Sequence, residues 1–185
     1  MKKRWVQGLE KNEVALYMVN EICWSSLYEE EKKNLEAVLE GKYIKIEHVG
    51  STAIKKMICK PIIDIAIGID DKQNTDEIIE QMKLAGYAYL PENGGEGRII
   101  FIKTNGSKRT HHIHIEEYGS CNWENHIVFR NYMNKHFGAR IEYARIKKEL
   151  MKTFSNNREK YTNGKAAFIE QILLTAQKEQ EHNKW

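Results

Sequence analysis

The sequence predicts an α+β fold: a mixed β-sheet with flanking helices and a helical C-terminal part. Three observations carry this. The apparent elements run helix, two strands, helix, two or three strands, then helices. An Asn-Gly pair separates the runs RIIFIK and THHIHIEE, which is the signature of a hairpin. From Trp123 onward strand signals stop and helical ones take over. A chain of 185 residues is expected to form one domain, 1–185, with an α/β core at 1–121 and a C-terminal helical part at 122–185.

Residues 1–12 read as a polar lead-in, and Glu13 to Val19 as a short strand or the start of a helix. Ser25-Ser26 precedes an amphipathic helix with Leu27, Leu35, Val38 and Leu39 on one face, Glu29 to Glu31 near its positive end and Gly41 as its stop. Tyr43 to Val49 alternates as a strand should, with Ile44, Ile46 and His48 on one face. Gly50-Ser51-Thr52 breaks it. Ile62 to Ile69 is nearly all apolar and β-branched, as in a strand covered on both sides. A helix from Thr75 to Leu84 follows, capped by Thr75 or Asn74 and stopped by Gly86. Tyr87 to Leu90 forms a strand, PENGGEG a loop, and Arg98–Lys103 with Thr110–Glu117 the hairpin. Residues 123–136, 139–153 and 163–181 read as helices, separated by Gly138 and by SNNREKYTNG.

Composition narrows the function classes. A net charge of +3 is too mild for the footprint of a nucleic-acid binder. Cys23, Cys59 and Cys121 stand in no metal or redox spacing and suit a cytoplasmic protein with reduced thiols. Met-Lys-Lys-Arg resembles a signal start, but no apolar run follows it, so neither secretion nor membrane insertion is expected.

The chemistry concentrates between residues 43 and 69. Asp64 is a carboxylate within an apolar strand, which costs several kcal/mol unless a partner or a metal offsets it. Gly50 and Ser51 can hold phosphate oxygens through backbone N–H groups and a hydroxyl. An acid beside such a turn can ligate Mg²⁺ or another divalent metal. The plainer readings are a simple turn, and an Asp64 paired with Lys60 or backbone donors. His112 and His114 alternate with Ile113 and Ile115 and so share a face away from the core. With His48 and Asp64 they offer a metal set better suited to a transition ion than to magnesium, or a histidine general base. Lys55, Lys56, Lys60, Lys108 and Arg109 border a cleft that attracts a nucleotide, or are solvated surface. Trp24, Trp123 and Tyr161 read as core or interface aromatics, and Ala166, Ala167 and Phe168 as packing.

His48-Val49-Gly50-Ser51-Thr52-Ala53 followed by Lys60-Pro61-Ile62-Ile63-Asp64-Ile65 resembles the GrpB family, whose members are described as nucleotidyltransferase-like. Arg109 to His114, Tyr118-Gly119-Ser120, Phe129-Arg130, Arg158 and Lys165 to Ile169 extend the resemblance over most of the chain. It implies a nucleotidyltransferase-type mixed sheet with the Gly-Ser turn opening the site. The wider pattern continues with acid, hydrophobic, acid. Here Asp64 matches and Ala66 replaces the second acid, while Lys55-Lys56 stands where relatives commonly have Pro-Gly.

Three functions follow as expectations. One is a metal-dependent nucleotidyl or phosphoryl transferase, with Asp64 and His114 catalytic, Gly50, Ser51, Thr52, Lys60 and Arg109 holding the phosphates of a nucleoside triphosphate, and Asp64, His48, His112 and His114 available to a metal. The second is a non-catalytic module that binds a nucleotide, a coenzyme A-related compound or another phosphorylated small molecule; the coenzyme A link comes from relatives fused to a dephospho-coenzyme A kinase. The third is a His/Asp metal-binding hydrolase.

Overall fold

The computed structural model describes residues 7–18, 21–70, 75–95 and 97–182, apart from the side chains of residues 21 and 22. The Met-Lys-Lys-Arg start, Val19, Asn74 and Glu96 lie outside these residues. The elements are β1 (Tyr17–Met18), α1 (Glu21–Leu39), β2 (Lys45–Val49), a 3-10 turn (Ser51–Ala53), β3 (Ile58–Cys59), β4 (Ile63–Ile69), α2 (Thr75–Leu84), β5 (Ala88–Tyr89), α3 (Pro91–Gly94), β6 (Arg98–Asn105), β7 (Lys108–Glu117), α4 (Cys121–Lys135), α5 (Phe137–Thr153), α6 (Arg158–Asn163) and α7 (Ala166–His182).

Five strands form a mixed sheet in the order β2-β4-β7-β6-β5, and β1 pairs with β3 in a separate ribbon. Within the sheet β4 and β7 run parallel, while the other neighbours are antiparallel. Alternation gives the sheet two unlike faces. Ile63, Ile65, Ile67, Phe101, Ile113 and Ile115 share a core with Trp24, Leu35 and Leu39 of α1 and Ile78 and Met82 of α2. The opposite face carries Val49, Ala66 and Asp64, with Trp123 of α4 packed on Val49 and Ala66. Gly68 lies on this second face, and a Cβ there would come within 2.8 Å of the Tyr118 ring. The C-terminal helices build a second core, where Phe129, Met133, Tyr143 and Ile172 close over Ile54, Met57 and Ile58. The segment after Gly50 therefore belongs to both layers. None of the described helices is long and apolar enough to cross a membrane.

Several local expectations need correction. The first helix begins at Glu21 and runs through Ser25-Ser26, because burial of Trp24 and Tyr28 outweighs the preference of serine for caps. Glu29 to Glu31 consequently sit inside the helix. Glu31 is buried and accepts hydrogen bonds from Tyr87 Oη at 2.8 Å and Lys103 Nζ at 2.5 Å. Pro91–Gly94 is not loop but one helical turn, with proline at its start, where a missing N–H costs nothing. The hairpin turns on Gly106-Ser107, because a register shift between Lys103 and Thr104 makes Asn105 pair with Lys108. Gly138 lies inside α5; the break falls at His136, whose φ of −106° and ψ of 101° are extended. SNNREKYTNG contains α6, started by Asn157 Oδ1 accepting from the Lys160 N–H at 3.0 Å. Ala166 and Ala167 are exposed, so of that trio only Phe168 packs, stacked on Tyr143.

Two histidines on the core side contribute to the acid sensitivity. Burial pushes His48 and His111 down to about 4 from the ordinary 6.5. The unfolded chain then binds more protons than the folded one between these values, so stability falls as pH drops from about 6.5 to about 4, by roughly 1.4 kcal/mol per unit for each fully shifted histidine. Urea midpoints measured across this range are expected to decline, and His111→Gln to shallow the decline. An unchanged slope in that variant would take His111 out of the account.

Candidate functional site at the Gly50 turn

β2 ends at Val49, which pairs with Asp64 of β4, so the turn that follows is laid directly on that carboxylate. Gly50 adopts φ +66° and ψ −164°, a conformation essentially confined to glycine. A Cβ at this position would lie 2.8 Å from both Cβ and Cγ of Asp64. Glycine is thus required twice, for the backbone angle and for the close approach.

The parallel pairing of β4 with β7 sets Asp64 opposite His112 and Ala66 opposite His114. Asp64 Oδ1 lies 3.3 Å from His112 Nδ1 and 4.0 Å from His114 Nε2. Burial pushes the Asp64 carboxyl up, but the neighbouring imidazoles of His112 and His114 outweigh it and hold the group well below the usual carboxylate range. Burial lowers His112 and His114 despite the opposing pull of Asp64. At neutral pH the site is one carboxylate flanked by two neutral imidazoles.

Cations enclose it from the C-terminal helices. Lys147 of α5 is buried and donates to Ser51 Oγ at 2.6 Å and to the Ile58 carbonyl at 2.8 Å. Asn134 of α4 grips the same turn, donating to the Ala53 carbonyl at 3.1 Å and accepting from the Lys55 N–H at 2.9 Å. Arg130 Nη1 donates to Glu47 Oε2 at 2.6 Å and to the His48 carbonyl at 2.9 Å, anchoring β2. A cavity of about 210 Å³ remains between Ser51, Asp64, His112 and His114 on one side and Lys60, Lys147, Arg158, Tyr161 and Lys165 on the other. Burial, then the charges of Lys165 and Arg158, push Lys60 down to about 7. Burial pushes Lys165 down to about 8 against the attraction of Asp64, and Lys147 well below the ordinary range. Arg158 donates through Nη2 to the Glu10 carbonyl at 3.0 Å, while its buried Nε and Nη1 have no hydrogen-bond partner among the described residues. This is a pocket with more positive charge than its own carboxylate balances.

The fold gathers Gly50, Ser51, Lys60, Asp64, His112 and His114. Arg109 borders an adjoining hollow that shares His112, His114 and Arg158. His48 and Thr52 are not in the cavity. His48 pairs with Ile65, so its side chain points to the opposite face of the sheet, where it stacks on Tyr28 at 4.8 Å and its Nε2 lies 2.8 Å from Thr52 Oγ1. A metal set of Asp64, His48, His112 and His114 is therefore not assembled, and the Thr52 hydroxyl is turned toward His48. Strand alternation is the reason: Val49, not His48, shares the face of Asp64. Lys55 and Lys56 are exposed and do not line the cavity. Lys56 has φ +55°, a left-handed position that suits glycine better than lysine. Lys147 and Arg158 were missing from the expected site. A lysine on the apolar face Tyr143-Lys147-Leu150 was the available signal for the first.

The sequence pattern of the GrpB family, described as GrpB protein, matches residues 13–175. The UPF0157 protein YqkA of Bacillus subtilis is 39% identical over 86% of this chain, and the chain spans 46% of that protein, about half its length. The glutamate-rich protein GrpB of Alkalihalophilus pseudofirmus is 35% identical over 90% of this chain and 97% of its own. The crystal structure of conserved protein GrpB from Enterococcus faecalis superposes with a TM-score of 0.81, at 30% identity over 90% of this chain and 99% of that one. The Cid1 poly(U) polymerase in its MgGTP-bound form aligns with a TM-score of 0.50 at 13% identity, over 73% of this chain and 44% of that one, a likeness of fold.

Proposed function

The chain belongs to the GrpB family, and on that premise we propose that its cleft binds the phosphates of a nucleoside triphosphate, with one divalent cation at Asp64, and transfers a nucleotidyl or phosphoryl group. The observation that carries this reading is the set of Lys60, Lys165 and Arg158 around a carboxylate that stays ionised. Such a set is costly without an anion, and a triphosphate supplies the charge it lacks. The likeness of fold to a polymerase crystallised with MgGTP supports the same class of ligand.

Each group has a part. Ser51 and the backbone after Gly50 face the terminal phosphate. Lys60, Lys165 and Arg158 hold the remaining phosphate oxygens, and Arg109 guides the anion at the adjoining mouth. The donor set fits a hard divalent ion at one site: Asp64 supplies one carboxylate, and Ala66 removes the second that a two-metal site needs. Mg²⁺ bound there would draw charge from the transferring group. His114, neutral and near Asp64, is placed to accept the proton of an attacking hydroxyl. Ala66 also motivates a second reading, a module that binds the nucleotide, or a coenzyme A-related compound, without turnover.

Calorimetry of ATP with and without Mg²⁺ tests the proposal. Asp64→Asn is expected to lose the Mg²⁺-dependent part of the affinity, at least tenfold, while binding without metal persists. Equal Mg²⁺ dependence in both proteins would remove Asp64 from the role. A screen of nucleotides for turnover separates the transferase from the binding module.

A further inference from the structure

A second cluster lies on the same sheet face, two residues along β7. His114 and Glu116 project from β7, and His126 reaches them from α4. Their ligand atoms all lie within 4.8 Å of one another. Glu116 Oε1 accepts from Arg98 Nε at 3.0 Å and stands 3.3 Å from His126 Nε2. Arg98 Nη2 is also 3.3 Å from His114 Nδ1. The carboxylate is only 1% exposed, and its second oxygen, Oε2, is buried without a hydrogen-bond partner among the described residues. A buried carboxylate oxygen with nothing to accept from is uncommon and needs a reason.

We infer that His114, Glu116 and His126 bind one borderline divalent ion, such as Zn²⁺, at a site separate from Asp64. Two imidazoles and a carboxylate are the donor set of catalytic zinc and of non-haem iron centres, whereas magnesium prefers oxygen alone. Bonds of roughly 2.0–2.2 Å to a tetrahedral ion set ligand atoms roughly 3.3–3.6 Å apart, so a pair at the outer limit of 4.8 Å has to close by about 1.5 Å. Three protein ligands leave open positions. His114 and His126 also line a hollow with Asp64 and Ser51. Arg98 now supplies the positive charge to Glu116, and its partly exposed side chain can swing outward when a cation replaces it. The guanidinium is thus a built-in competitor. This inference needs no nucleotide, since none of Gly50, Lys60 and Asp64 is a ligand, but it shares His114 with the proposed transferase reading and assigns that imidazole to the ion in place of the proton.

The test uses the untagged full chain, stripped with EDTA and titrated with Co²⁺ while visible absorption is followed, with Zn²⁺ as displacer. One equivalent is expected to bind and to survive a large excess of Mg²⁺. His126→Ala, a change at a partly exposed side chain, should weaken binding at least tenfold, and Glu116→Gln likewise. Arg98→Met should tighten it several-fold, and Asp64→Asn should leave it unchanged. No saturable Co²⁺ binding by the wild type, or wild-type affinity in His126→Ala, would overturn the site. Loss of binding in Asp64→Asn would place the ion at the other carboxylate instead.

Discussion

Gly50→Ala is expected to cost roughly 3 kcal/mol of stability and to abolish the Mg²⁺-dependent binding of ATP. Two contributions add. An alanine forced into the φ +66°, ψ −164° region is strained by about 1–3 kcal/mol. Its Cβ would also meet Asp64 Cβ and Cγ at 2.8 Å, and overpacking of this kind costs about 1–3 kcal/mol. Alanine recovers about 0.4–1 kcal/mol by restricting the unfolded chain. A clash with only the tip of a carboxylate would be relieved by rotation, but Asp64 Cβ is fixed to β4 and cannot withdraw. The strand or the turn must move, and either shift separates Ser51 from Asp64. Gly119→Ala is the control: φ is +78° there, yet a Cβ would meet nothing within 4 Å, so only the backbone contribution remains. Urea denaturation should rank Gly50→Ala well above Gly119→Ala. Adding Asp64→Gly to Gly50→Ala should return the clash energy but not the backbone strain. Equal cost in the two alanine variants would mean that the turn does not press on Asp64.

Why this much of the site was legible follows from the residues themselves. Asp64 among isoleucines and the glycine before Ser51 are local anomalies, visible without coordinates because an apolar strand gives a charge no ordinary reason to be there. The alternation of His112 and His114 with Ile113 and Ile115 fixed their face by the same period-two geometry. His48 is adjacent to the turn in sequence, but the same alternation sets it opposite Ile65 and puts Val49 toward Asp64. Lys147 stands on an apolar helix face, which marks it as inward but not its target, and Arg158 and His126 depend on how helices dock on the sheet, a long-range property that no spacing within one helix encodes. The helix boundaries slipped for a related reason. Burial of Trp24 extended α1 across two serines, and Gly138 remained helical because the break came two residues earlier, at His136.

The lysines around the cavity should separate into two kinds when removed. Lys147→Ala is expected to cost about 3–5 kcal/mol, since it opens a cavity and strands two buried acceptors, Ser51 Oγ and the Ile58 carbonyl. Lys147→Met keeps the volume and should recover part of that loss. Lys60→Met and Lys165→Met should instead leave the ligand-free protein as stable as before, or more so, because they relieve crowding of like charges. Their cost appears in function, as at least a tenfold loss of tripolyphosphate affinity. The pH dependence has a definite sign. Lys60 near 7 and Lys165 near 8 lie below the 10.5 of an unfolded lysine, so the unfolded chain holds more protons and ligand-free stability rises as pH goes from 7 toward 10. A bound polyanion favours the charged forms and reverses the shift, so binding at pH 8 must take up protons. Calorimetry in two buffers of unlike ionisation heat measures that uptake directly, and the wild type should exceed both methionine variants. Proton release on binding, or unchanged affinity in Lys60→Met and Lys165→Met, would mean that the ring of cations serves the packing of α6 and α7 and not a phosphate ligand.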